Sequence, residues 1–296
     1  MKILLLIILL LAMATNPHAV FAEKVYDVRF TVHNLSNNTN PANGLTDSQR
    51  QFVARTAGAD QVCIFCHTPH NASPSVPLWN KVIDPLTYPG QINAYRLYTS
   101  SKSLSTTVRN SSITANSESM LCLTCHDGKT AINVLHNTRV RETTVNGDGI
   151  IDFGVGASAI DPQSMGDLSF SGSMFPSNLG ATRDADGKID DPYNGTNLTD
   201  DHPIGFSYDG VWGEPGKSAN LRTLADAKIN GLRFFGASQD RVECSSCHNP
   251  HVYYGSYLNG GARYAIPGAT QPYLDRTPFL VRDNNGSALC LGCHIK

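Results

Sequence analysis

Long periodic apolar runs, the usual raw material of a protein core, are scarce in this chain. Aromatic residues make up only 8% of its 296 positions, while Gly, Pro, Ser, Thr and Asn are plentiful. A chain of that make-up struggles to bury enough side-chain surface to offset the entropy lost on ordering. Something other than its own side chains has to fill the middle. A basic excess is missing too, since 23 Lys and Arg stand against 25 Asp and Glu, a net charge of −2. Nucleic acid would find no positive field here. Methionine is rare, with five in all. Beyond one apolar stretch at the start, no segment is apolar enough to cross a membrane.

That stretch reads as an address. Lys2 gives a positive beginning, Ile3 to Met13 form an apolar run, and Val20 and Ala22 place small residues before a cut. The pattern predicts a secretory signal peptide over 1–22 and a mature start at Glu23. A retained anchor is the competing reading, and the shortness of the run disfavours it. No cysteine lies near the cut, so lipid attachment there has no support. Losing Lys2 leaves 22 basic residues against 25 acidic ones, a charge of −3.

All eight cysteines fall into four copies of one pattern: Cys63-Ile-Phe-Cys66-His67, Cys122-Leu-Thr-Cys125-His126, Cys244-Ser-Ser-Cys247-His248 and Cys290-Leu-Gly-Cys293-His294. The spacing is that of a c-type haem attachment site. Two thiols three residues apart meet the two vinyl groups of one porphyrin, and the following imidazole comes under the iron. A random chain of this composition would carry on the order of 0.01 such strings. A redox dithiol, paired zinc knuckles or a disulfide framework are the competing readings. None of them requires His after every second Cys.

A low-spin electron-transfer haem needs a sixth ligand as well. Apart from the four proximal histidines and His18 in the signal peptide, the chain offers His33, His70, His136, His202 and His251. Met120 sits too close to Cys122 to reach across that haem. Enough imidazoles therefore exist to close every iron, whereas a haem enzyme keeps one position open or exchangeable. An internal repeat helps choose among them. Cys63-x-x-Cys-His-x-Pro-His70 is answered by Cys244-x-x-Cys-His-x-Pro-His251, and the Leu-Cys-Leu-x-Cys-His strings ending at His126 and His294 match in the same way. His33 and His202 lie upstream of their copies, and His136, without a counterpart, is the spare.

His70 and His251 follow their proximal histidines too closely to reach the opposite face of the same haem. Pro69 and Pro250 also turn the chain away from helix. Each is therefore expected on a different haem, the second of its own copy, at Cys122 and Cys125 or at Cys290 and Cys293. The expected architecture is mostly irregular coil with few short α-helices. It is a multihaem cytochrome c wrapped around four covalent haems, built as a doubled two-haem unit. The first unit covers 23–135, an insertion of loops or short hairpins covers 136–200, and the second unit covers 201–296. Short helices are predicted from Thr46 to Ala57, opened by a capping box, and from Leu221 to Phe235. Trp79, Tyr88, Tyr95 and Tyr98 are expected to pack on haem edges.

Two strings resemble the middle of a calcium loop: Asn146, Asp148 and Asp152, then Asp184, Asp186 and Asp190. Both lack the first acid and the terminal Glu, and Asp-Gly hairpin turns explain them equally well.

The strings Cys63 to Asn71, Pro77-Leu-Trp79, Leu121 to Gly128, Asp201-His-Pro-Ile-Gly205 and Leu289 to His294 resemble the doubled-CXXCH family of multihaem cytochromes. The chain is similar in haem number and size to the tetrahaem outer-surface cytochromes of metal-reducing bacteria, some of which form conductive filaments. The resemblance implies bis-His haems and sometimes a distal histidine given by the next subunit, a role that maps to His33. The expected function is electron transfer to an acceptor outside the cell. A periplasmic shuttle, or a reductase of nitrite or hydroxylamine, are the alternatives.

Overall fold

Caps and turns, rather than long helices, order this chain. The structure is a computed structural model, and it describes residues 28, 33–36, 61–68, 70, 78–81, 95, 97–126, 135–136, 198–199, 201–252, 257–258, 262–263 and 279–296. The signal peptide, the helix expected from Thr46 to Ala57, Tyr88 and both calcium-like strings lie outside those residues.

Helix α1, Thr106–Arg109, starts where the Ser105 hydroxyl accepts the Val108 N–H at 3.1 Å. The Glu214 carboxylate takes the N–H groups of Thr106 and Thr107 at 3.0 and 2.6 Å. Three donors that a helix start leaves orphaned are thereby met. Helix α2, Glu118–His126, buries Met120 and Leu123 one turn apart and carries the second cysteine motif. Strand β1, Phe206–Ser207, pairs antiparallel with β2, Arg241–Val242, placing Phe206 opposite Val242.

A two-residue ribbon is marginal by itself. Arg241 reinforces this one by donating to the carbonyls of Ser112 and Gly205 at 2.8 and 2.7 Å. Gly205 is needed there, with φ +74° and the Ser112 carbonyl oxygen only 2.7 Å from where a Cβ would stand. Helix α3, Tyr208–Trp212, follows β1 directly and is capped by Ser207.

The helix predicted from Leu221 to Phe235 is shorter, spanning Leu224–Ile229 as α4. Thr223 caps its start, and Gly231, at φ +87°, lies just past its end. Leu221 is drawn off earlier into a bridge with His294, and Phe235 pairs with Arg241. Helix α5, Cys244–Cys247, grows straight from β2 with a capping box between Glu243 and Ser246. A second ribbon pairs β3, Tyr257–Leu258, with β4, Ala262–Arg263.

One buried cluster serves both halves. Tyr98, Ile113, Met120 and Leu123 from the first unit pack with Phe206, Tyr208, Phe234 and Val242 from the second, and Leu198 joins from between them. The Tyr98 hydroxyl accepts the Ile204 N–H at 3.2 Å, a cross-unit bond in the middle of the cluster. The described chain is thus mostly coil and turn with few short helices, as the composition predicts, with two small ribbons in addition. Among the described residues, no helix is long and apolar enough to cross a membrane.

Candidate haem sites

Each cysteine motif is a single helical turn. The N–H groups of His67, His248 and His294 donate to the carbonyls of Cys63, Cys244 and Cys290 at 2.8, 3.0 and 2.9 Å. The remaining motif is the last part of α2. In a helical turn, residues three apart share a face. Both thiols of a motif therefore point the same way, as two thioether bonds to one porphyrin require.

Burial acts on several of the thiols. Burial pushes Cys66 and Cys247 up to about 12 and Cys293 up to about 11. A redox dithiol or a metal-thiolate centre needs shifts in the opposite direction. Cys122 is also raised, by its hydrogen bond with Cys244 and by burial, and that same bond lowers Cys244. The motifs lie near one another in chain order. Cys66 neighbours Cys125, Cys122 touches Cys244, and Cys247 neighbours Cys293 and Cys290.

The junction between the second and third motifs is built most firmly. Glu243, 1% exposed, accepts from the Ser119 hydroxyl at 2.5 Å and from Arg241 Nε at 3.0 Å. The Ser119 hydroxyl oxygen in turn receives the Cys244 N–H at 2.9 Å. A buried carboxylate is tolerable only when its oxygens are met in this way. Beside it, a cleft of about 290 Å³ is lined by Glu118, Arg241, Glu243, Ser117 and Gly236 among others. Among the described residues, no histidine lines it.

A returning strand clips the first motif of each copy. Thr68 N–H donates to Leu78 O and Asn80 N–H to Cys66 O, both at 2.9 Å, around a bridge between His67 and Trp79. In the second copy, Asn249 N–H donates to Phe279 O at 2.6 Å and Val281 N–H to Cys247 O at 2.9 Å, around a bridge between His248 and Leu280. Leu78 and Phe279 even share a left-handed backbone, at φ 65° and 55°. Sequence reasoning missed this duplication. Its signal is Pro77-Leu-Trp79 against Pro278-Phe-Leu280, hidden by the unequal chain lengths before each.

The histidines meet in pairs. At about 2 Å per metal–nitrogen bond, two imidazoles on opposite sides of one ion put their ring centres roughly 6 Å apart. His33 and His126 are 6.1 Å apart with planes at 67°, and His67 and His251 are 6.3 Å apart at 14°. His33 also lies 4.5 Å from the Phe279 ring. Burial, then the neighbouring His126, His251 and His248, lower it to about 3. His294 is lowered by loss of water contact and by His202 beside it. Neutral imidazole is the ligand form. The residues present therefore fit haem: paired thiols on one-turn helices, and imidazoles spaced for an iron between them.

The other residues distribute unevenly. His202 is exposed, with Nδ1 3.0 Å from the Pro203 carbonyl, an arrangement that leaves Nε2 for a metal. His70 is exposed, and its carbonyl accepts from Thr68 Oγ1 at 2.7 Å. His136, half-buried, donates its N–H to Asn80 O at 2.9 Å, against the first clip. Met120 belongs to the core. Tyr95 and Tyr98 are buried there too, while Trp79 stands edge-on to His67 at 5.7 Å.

Two placements bear on the sequence expectation. The ring of His33, mapped to a neighbouring subunit, lies beside Phe279 and His126 of its own chain. His251, expected at the haem of Cys290 and Cys293, has its ring centre 6.3 Å from that of His67. No family model matches this chain, and no curated protein matches it.

Proposed function

We propose that this chain is a c-type cytochrome that holds four haems and passes electrons among them, without a catalytic step of its own. The imidazole pairs at 6.1 and 6.3 Å, each including the proximal histidine of a cysteine motif, carry this reading. Haem iron supplies the redox chemistry, one electron at a time. The chain's residues hold, orient and enclose. Cys63, Cys66, Cys122, Cys125, Cys244, Cys247, Cys290 and Cys293 would form the thioethers, with His67, His126, His248 and His294 as proximal ligands. His33 serves the site at His126, and His202 the site at His294. The closeness of consecutive motifs supports electron passage in chain order, from the first site to the fourth.

The signal peptide predicted over 1–22 supports export, and extracellular electron transfer is the setting proposed. The test is a pyridine haemochrome assay with intact mass on the purified mature chain, expected to give four haems per chain. A mass equal to the bare polypeptide overturns the reading. Spectra of the resting oxidised protein are expected to be six-coordinate throughout. A five-coordinate haem would point to the reductase of small nitrogen oxyanions instead. Negative-stain microscopy and size exclusion separate a filament from a monomeric shuttle.

A further inference from the structure

We propose that His251 is the sixth ligand of the haem bound at Cys63, Cys66 and His67, so that the second half of the chain completes a site begun in the first. This rests on the haem-binding reading above and adds which imidazole closes which iron.

His251 follows His248 by three residues, tethered on one side of its own haem, so it has to serve another. Its ring centre is 6.3 Å from that of His67, with nearly parallel planes. Two other proximal rings have neighbours of their own, since His126 lies beside His33 and His294 has His202 near it. The local hydrogen bonds also fix which nitrogen is available. Asn249 Oδ1 accepts the His251 backbone N–H at 3.1 Å, so that side-chain atom is an acceptor. His251 Nδ1, 3.1 Å from the same oxygen, must then carry the proton. The lone pair is left on Nε2, the outer nitrogen, as in metal-bound histidines whose second nitrogen is tied to an oxygen.

The clip explains how the chain reaches across. Asn249 N–H is bonded to Phe279 O, and Phe279 packs on His33 beside His126. The second copy's first turn is thus fastened against the first copy's ligands. Pro250 then turns the chain, and His251 arrives at His67. Iron between those two rings would staple the halves together.

The experiment uses the mature, haem-loaded chain and reads iron spin state by electron paramagnetic resonance and magnetic circular dichroism. His251→Ala is expected to convert one haem of four to high spin while the haem count stays at four. With Cys63→Ala and Cys66→Ala removing the first haem, adding His251→Ala is expected to produce no high-spin iron. With Cys290→Ala and Cys293→Ala, the high-spin signal is expected to persist. A signal that survives loss of the first haem, or vanishes with loss of the fourth, overturns the proposal.

Iron-edge diffraction from the unmodified holoprotein decides the matter if the variants fold poorly. An iron bound by His67 and His251 supports the proposal, and any other sixth ligand on His67 overturns it. A chain without haem sinks the cytochrome reading itself, whereas four haems with His251 elsewhere sink only the crossing.

Discussion

The second site of each copy starts from nearly the same string of residues, and the two end in opposite surroundings. Around His126, the ring of His33 is walled by Phe279, and its Nδ1 has no contact with solvent. Around His294, that residue, Cys290 and His202 are exposed, although Gly292 within the turn is buried. The difference traces to the supports. The earlier motif ends a nine-residue helix sewn to the third motif by Glu243, whereas the later one is a 3-10 turn, Cys290–Gly292, held by the segment around Arg222. Gly292 is part of that economy, because a Cβ there would lie 3.1 Å from Leu232 Cδ2. Duplication copies the cysteine motif, and the packing around each copy decides whether its surroundings are closed or open. A sealed site suits internal transfer, and an open one suits exchange with a partner.

The sharpest way to break that contrast is to delete the distal ligand on each side. His33→Ala is expected to lose one low-spin haem and about 2–4 kcal/mol of stability, the range for emptying a packed site. His202→Ala is expected to lose one low-spin haem with a stability change within about 0.5 kcal/mol from packing, as for exposed positions. Denaturant unfolding with parallel spectra measures both. Equal losses on the two sides would erase the distinction.

Glu243→Ala removes the acceptor between the second and third motifs and is expected to cost about 3 kcal/mol, the lower end for breaking a buried charged pair, because Arg241 is half-exposed. It is also expected to loosen α2 against α5, read as faster amide exchange at Ser119 and Cys244. Gly205→Ala, at a positive φ and against a carbonyl, is expected to cost about 1–3 kcal/mol. Thermal unfolding would show it, and an unchanged midpoint would mean that the Ser112 contact yields freely.

The smallest effect is one of pH. Hydrogen bonds from Thr107 and Thr106 hold the Glu214 carboxyl below its ordinary range. A carboxylate lowered in the folded state adds stability above its unfolded value of about 4.3. That contribution fades as pH falls through the lower folded value. Glu214→Gln is expected to flatten this acid limb slightly, by an amount cut by solvent screening. Stability curves of the two chains that coincide from neutral pH down to pH 3 would count against the cap.

Much of the geometry of the cysteine motifs is legible in the sequence because it is local. Four turns of five residues need only their own spacing, and the scarcity of apolar periods foretells coil and short helices. What stays hidden is whatever depends on long-range closure. The helix predicted from Leu221 to Phe235 shrinks because Leu221 is claimed by His294, far away in sequence, and because Gly231 adopts a left-handed turn. The clips escape notice because their hydrogen bonds run between strings separated by unequal lengths. His33 looks like a free arm when its neighbours in sequence are the only guide, and Phe279 and His126, which enclose it, are remote along the chain. The crossing of His251 is invisible for the same reason, although Pro250 already announces that the chain leaves its helix.

The two clips close on identical hydrogen-bond register although the chain between motif and clip is far longer in the second copy than in the first. Closing a longer loop adds only slowly to the entropic cost, about 0.6 kcal/mol per doubling. Those connections are therefore the places where this protein can absorb extra sequence. A peptide epitope or surface-binding tag spliced between His70 and Leu78 would leave both anchoring ends in register, giving a handle for tethering the molecule to a surface with its cysteine motifs untouched.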